Sequence, residues 1–179
     1  MLARGIHSPW TSSVGRLFDA VASIVGLRQQ VTFEGQAAME LEFAIGGMQT
    51  DDGYPFQISN LKSQMNERLN IDWQPMVSGI LDDLERGVPV GRISARFHNT
   101  LAEIIVEVAE RVGEEQVVLS GGCFQNIFLL ERTIKKLESA GFIVYRHQRI
   151  PTNDGGISLG QIAAAMSIKS PLIKGTVKT

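Results

Sequence analysis

Apolar side chains recur at Val14, Leu17, Phe18, Val21, Ile24 and Val25 within SSVGRLFDAVASIVGL, the three-and-four spacing of one helical face. Ser12 or Ser13 offers an N-cap and Gly26 a stop. GQAAMELEFAIGG predicts a second helix ended by Gly46 and Gly47. QTDDG reads as a turn, and YPFQIS as a short strand that Pro55 places at an edge. DWQPMVSGILDDLERG predicts a third helix with Pro75 in its first turn and the run DDLER on a solvated face. The apolar positions Ile93, Phe97, Leu101, Ile104, Ile105 and Val108 predict a long fourth helix.

Beyond it, EQVVLSGG predicts a buried strand and CFQNIFLLERTIKKLESAG a fifth helix closed by Gly141. FIVYRHQ predicts another strand, PTNDGG a loop, and ISLGQIAAAMSI a last helix. The strand–helix–strand unit from Val117 to Tyr145 should cross over right-handedly, making its strands parallel neighbours. The expected fold class is therefore helix-rich α/β, with a small sheet containing one parallel βαβ unit. Residues 1–170 should form one unit, and 171–179 a loose tail.

Composition narrows the partners. The 179 residues, 44% of them hydrophobic, suffice for one cored domain. A formal net charge of −2 argues against nucleic-acid binding by phosphate neutralisation. No stretch has the apolar length of a membrane span, and the first residues lack the apolar core of a secretory signal. The single cysteine, Cys123, permits no internal disulfide, so a cytoplasmic location is expected.

Candidate chemistry centres on LSGGCFQN, Leu119–Asn126. A helix beginning near Cys123 would present unpaired N–H groups as an anion site. Gly121 and Gly122 lack the Cβ atoms that would keep a nucleotide from the backbone, and Asn126 could aim its amide at a ribose or base. The plainer alternative is a tight turn that needs positive φ. Arg16 and Asp19 share one side of the first helix, Glu40 lies on the second, and Asp154 on a late loop; such carboxylates accept from ribose hydroxyls or hold metals. They could equally form structural ion pairs. His98 in RFHNTLA reads more simply as a packing residue than as a catalyst touching a bound ligand. Cys123 at a helix start could carry a lowered thiol pKa, but a small buried side chain is the simpler reading.

SPWTSSVGRLFDAVASIVGL, FEGQAAMELE, ARFHNTLA, LSGGCFQN and PTNDGGISLGQ follow one another in an order that resembles the C-terminal region of the HypF carbamoyltransferases of nickel–iron hydrogenase maturation. The resemblance runs from about Ser8 to Ile168. It implies the second lobe of an actin-like (ribonuclease-H-like) ATPase fold, related to the threonylcarbamoyl-transfer proteins of tRNA. It also implies use of ATP to form a carbamoyl-adenylate, whose carbamoyl group passes to the C-terminal cysteine of a HypE-like acceptor. By that resemblance Asp19 and Glu40 accept from the ribose hydroxyls, Asn126 contacts adenosine, and Gly121 and Gly122 line its approach. Arg16 nears the nucleotide, and Asp154 helps hold a divalent metal.

The family's paired-histidine metal motif has no counterpart, because His7, His98 and His147 form no H-x-x-x-H. One carboxylate leaves most positions of a cation to water. The chain is thus expected to be half of a site, with the metal shared with a first lobe that is lost, truncated away or carried on a separate polypeptide. A cleft face left open by that lobe should favour homodimerisation. Two rival functions remain: a non-catalytic nucleotide-binding or interaction module, and an antibiotic O-carbamoyltransferase lobe.

Overall fold

The structure, a computed structural model, describes residues 11–62 and 67–169; the readings of the N-terminal ten residues, His7 and the C-terminal tail fall outside them. Helix α1 spans Val14–Ile24 and α2 Gln36–Ala44. Strands β1 (Gln57–Lys62) and β2 (Glu67–Asp72) form an antiparallel pair, with registers running from Gln57 opposite Asp72 to Lys62 opposite Glu67. Helices α3 (Gln74–Glu85) and α4 (Val90–Val112) follow. Then come β3 (Gln116–Leu119), α5 (Ile127–Ser139), β4 (Ile143–Arg146) and α6 (Ile157–Lys169).

Every predicted helix is present. Ser13 does precede α1 with extended backbone, but its side chain makes no capping bond. Gly26, Gly46, Gly47 and Gly141 all take positive φ, the conformation a Cβ discourages at a helix exit. Pro75 sits in the first turn of α3. The edge strand begins at Gln57, beyond Pro55, and its partner β2 had no counterpart in the sequence pattern.

The 23 residues of α4 make a rod roughly 35 Å long at 1.5 Å per residue, and most of the core is built against it. Ile93, Phe97, Leu101 and Ile104 meet Phe18, Val21 and Ala22 of α1, Leu41 of α2, and Met76 and Ile80 of α3. Phe18 and Phe97 cross edge to face at 5.0 Å, adding directional attraction to apolar burial. Gly91 lets α4 start against the end of α2: an added Cβ would run into the Ala44 carbonyl oxygen.

The same helix buries polar groups that apolar periodicity does not register. Ser94, His98, Asn99 and Thr100 are all fully buried. Asn99 Nδ2 donates to the carbonyls of Thr50 (2.7 Å) and Asp52 (2.9 Å), and Thr100 Oγ1 accepts from Tyr54 N–H at 2.7 Å. These bonds pin the QTDDG turn to α4. The DDLER run departs from expectation in one residue. Asp82 and Glu85 are exposed, whereas Asp83 is buried, ion-paired with Arg96 and accepting from Tyr54 Oη at 2.7 Å.

Strands β3 and β4 pair in parallel, Val117 beside Val144 and Leu119 beside Arg146, with α5 as their crossover. Leu119, Val117 and Val144 pack with Leu130, Leu137 and Phe142 in a second cluster. The strand predicted as buried is covered on that face alone. Val118 is 68% exposed on the other, flanked by exposed Ile143 and Tyr145. The expected single small sheet is two separate two-stranded sheets. No helix among the described residues is long and apolar enough to cross a membrane.

Candidate functional site

The carboxyl ends of parallel strands are where open α/β sheets place ligands, because the loops diverge there. In this chain those ends carry Ser120, Gly121 and Gly122 after β3, and the segment from His147 to Asp154 after β4. The two loops are tied together: Gly121 N–H donates to the Thr152 carbonyl at 2.9 Å, and Ser120 Oγ lies 2.9 Å from His147 Nε2. His147 thus belongs to the rim of the glycine turn.

Gly121 has φ 108° and Gly122 opens a 3₁₀ turn, Gly122–Gln125. A Cβ built on either glycine would meet no atom within 4 Å. The backbone is therefore accessible at both, and positive φ alone accounts for Gly121 but not for Gly122. Cys123 packs half-buried against the main core, and that burial pushes its thiol pKa up, opposite to an activated thiolate.

The helix after the turn starts later than predicted. Asn126 is extended, φ −69° and ψ 108°, and caps α5 instead of lying one turn inside it. Its side-chain oxygen accepts from Leu129 N–H at 2.8 Å, so the short amide side chain ends the 3₁₀ turn and begins the new helix. Glu42 of α2 reaches the same end, accepting from Phe128 N–H at 3.0 Å. Two of the first N–H groups of α5 are already bonded, and a carboxylate occupies the positive end of its dipole. At the start of α5 itself, Phe128 and Leu129 N–H are thus satisfied by the protein. Glu42 was not singled out in the sequence; only the packing of α2 on α5 brings it there.

His98 is wholly buried under Asn126. The rings of Phe18, Phe97 and Phe128 stand against it at 5.3–5.5 Å, all edge to face. Its Nδ1 lies 2.7 Å from the Ser94 carbonyl oxygen, which can only accept, so Nδ1 carries the proton. Nε2 then accepts from Asn126 Nδ2 at 2.9 Å. Burial pushes the imidazole pKa down to about 4, holding it neutral. The catalytic reading of His98 meets a ring enclosed by aromatics and bonded at both nitrogens.

Asp19 and Glu40 lie on neighbouring helices, and α1 also touches the 3₁₀ turn. Each carboxylate has an arginine partner. Asp19 accepts from Arg16 at 3.1 Å, with Arg16 largely in solvent. Glu40 is gripped by both arms of Arg28, whose hydrogen bonds hold its carboxyl below the usual range. Arg28 is a partner the sequence pattern did not single out. Asp154 is exposed at the start of a short 3₁₀ turn, Asp154–Gly156, two residues after Thr152. Among the described residues no group of three or more His, Cys, Asp or Glu side chains could hold a metal ion. Asp154 by itself does not make a cation site.

The structure thus gathers Gly121, Gly122, His147 and the Asp154 loop at one sheet edge, with His98 and Asn126 beneath. The helices bearing Arg16, Asp19 and Glu40 pack alongside.

Comparison with known proteins follows this geometry. Residues 1–161 match the family model described as carbamoyltransferase, Kae1-like domain, second subdomain. The chain is 41% identical over 163 residues to the carbamoyltransferase HypF of Synechocystis sp., covering 91% of this chain and 20% of that protein. It is 36% identical over 180 residues to HypF of Rhizobium leguminosarum bv. viciae, covering 94% of this chain and 21% of the relative. A solved full-length HypF in its phosphate- and nucleotide-bound form superposes with TM-score 0.78 at 44% identity, over 89% of this chain and 21% of that one. HypF of T. kodakarensis gives TM-score 0.71 at 27% identity, over 94% of this chain and 21% of that one. The chain spans about a fifth of the length of these relatives, and its helix-rich α/β architecture is that of a partial actin-like lobe.

Proposed function

Because the chain belongs to the HypF carbamoyltransferases, as the second subdomain of their Kae1-like domain, we propose that it contributes one wall of a nucleotide site used in ATP-dependent carbamoyl transfer. The observation that carries this reading is the open glycine turn. Gly121 and Gly122 stand free of any atom that a Cβ would meet, at the carboxyl edge of the parallel strands. The lobe is 44% identical to that of a nucleotide-bound HypF.

In this reading adenosine lies over Gly121 and Gly122, and Asp19 and Glu40 turn from Arg16 and Arg28 to accept from the ribose hydroxyls. The Arg16–Asp19 pair is a single solvent-screened contact that a bound sugar can replace, whereas Glu40 must give up two bonds from Arg28. Asn126 serves the nucleotide through the shape of the turn, since its oxygen caps α5 and its nitrogen donates to His98. The reaction is acyl-type transfer within nickel–iron hydrogenase maturation. The cysteine thiolate of a HypE-like acceptor attacks the carbamoyl carbon of a carbamoyl-adenylate, forming a C–S bond as the bond to the phosphate oxygen breaks and AMP leaves. Asp154 would hold a cation only together with ligands beyond those gathered among the described residues.

A non-catalytic interaction module is the second reading, favoured by the internal pairing of Asp19 and Glu40. Calorimetry with ADP on the purified chain separates the two; absence of binding at millimolar ligand leaves only the module. If ADP binds, Asp19→Ala with Glu40→Ala should weaken it about tenfold or more through loss of charge-assisted hydrogen bonds. Unchanged affinity in that double variant removes the ribose assignment.

A further inference from the structure

One chain of hydrogen bonds runs from the middle of α4 into the first turn of α5, through side chains with almost no solvent contact. The Ser94 carbonyl accepts from His98 Nδ1–H at 2.7 Å, His98 Nε2 accepts from Asn126 Nδ2–H at 2.9 Å, and Asn126 Oδ1 accepts from Leu129 N–H at 2.8 Å. Each bond fixes the polarity of the next. A carbonyl oxygen only accepts, so the imidazole proton sits on Nδ1. Nε2 must then be the acceptor, so Asn126 presents its nitrogen to His98 and its oxygen to the helix.

The orientation of the Asn126 amide is thereby set by the tautomer of a ring on another helix. With the amide reversed, two donors would face each other at Leu129, and two acceptors at His98. Asn126 ends the 3₁₀ turn that Gly122 begins, and the Asn126 N–H donates to the Cys123 carbonyl at 3.2 Å within that turn. Three aromatic rings pack against the imidazole edge to face.

We propose that His98, as its neutral Nδ1–H tautomer, is a positioning residue that acts through Asn126 to hold the Gly121–Asn126 turn in the shape that admits a nucleotide. It never touches the ligand. The nucleotide part of this statement rests on the function proposed above; the positioning part does not.

The two nitrogens of His98 can be imitated one at a time. In His98→Gln the side-chain oxygen reaches the place of Nε2 and still accepts from Asn126. In His98→Asn the shorter amide keeps only the donor to Ser94. On the full 179-residue chain, His98→Gln should bind ADP within about threefold of wild type, and His98→Asn about tenfold more weakly, by loss of one buried hydrogen bond and release of the turn. Equal affinities in all three proteins, or equal losses in both variants, overturn the proposal.

A spectroscopic reading stands beside it. Long-range ¹H–¹⁵N spectra should show His98 as the Nδ1–H tautomer at neutral pH, and the Nε2–H form overturns it. If wild type binds no ADP, the function reading fails and the backbone amides of Gly121 and Gly122 decide the positioning claim. Amides displaced in His98→Asn and restored in His98→Gln uphold it; amides unmoved in both sink it.

Discussion

Acidification should destabilise this chain through His98. The ring is fully buried and its pKa falls from 6.5 to about 4, with burial as the main cause; the bond to Ser94 works weakly the other way. The groups against it are three phenylalanine rings, the Ser94 carbonyl and hydroxyl and the Asn126 amide, and no charged neighbour adds to the shift. A proton on Nε2 would point at the Asn126 Nδ2–H₂ group. Relieving that clash by turning the amide would forfeit the cap on Leu129.

The sign follows from linkage. Between pH 6.5 and about 4 the unfolded chain binds a proton at His98 that the native chain refuses, so stability falls as pH falls through that window and levels off below it. At 1.36 kcal/mol per pH unit the whole window is worth roughly 3 kcal/mol, of which about 2 kcal/mol is gone by pH 5. The assay is urea unfolding at a series of pH values for wild type and His98→Gln, which has no proton to bind. Every other group cancels in the difference, so the wild-type midpoint should fall relative to the variant between pH 6.5 and 4. Parallel curves would refute the buried neutral imidazole.

Elsewhere, Asp83→Asn leaves the Arg96 guanidinium without its partner and should cost about 3 kcal/mol in chemical unfolding. Tyr54→Phe, which removes only the hydroxyl bond to Asp83, should cost about 1 kcal/mol. Gly91→Ala should lower stability by about 1–3 kcal/mol, because the methyl group enters the Ala44 carbonyl. Gly160→Ala in α6 meets open space, and a thermal melt should show it neutral or slightly stabilised. The uncovered apolar residues Val118, Tyr145, Ile162 and Met166 predict homodimerisation; a clean monomer by sedimentation at micromolar concentration would count against it.

The helices were legible because their apolar residues repeat at helical spacing and their exits carry glycine: α1 and α4 read directly from Phe18 and Val21 or from Phe97 and Leu101. The β3–α5–β4 unit was legible for the same reason. Strand β2 was not, since Leu69 and Ile71 are both substantially exposed and give little burial signal. Asp83 was misread because a carboxylate beside Asp82 and Glu85 looks solvated until Arg96 and Tyr54 arrive from distant stretches. In the candidate site, Gly121 and Gly122 could be named from sequence, whereas Arg28, Glu42 and His147 could not. Each gains its meaning from a partner 12 to 86 residues away.

That last group changes what the glycine turn can do. A helix start with free N–H groups attracts phosphate by charge, but here Glu42 and Asn126 have taken those donors, and Glu42 brings a negative charge to the same end. A phosphate placed there would face a like charge and would have to break two bonds. What the turn still offers is space: two glycines with nothing above them, at a strand edge whose nearest acidic loop carries Asp154. On the proposed reading, the open backbone at both glycines leaves room for the flat adenosine part of a nucleotide. The phosphates would then, on that reading, take their partners from somewhere other than the start of α5. On the same reading, the shape of the turn, held by Asn126 and the ring of His98, decides what it admits.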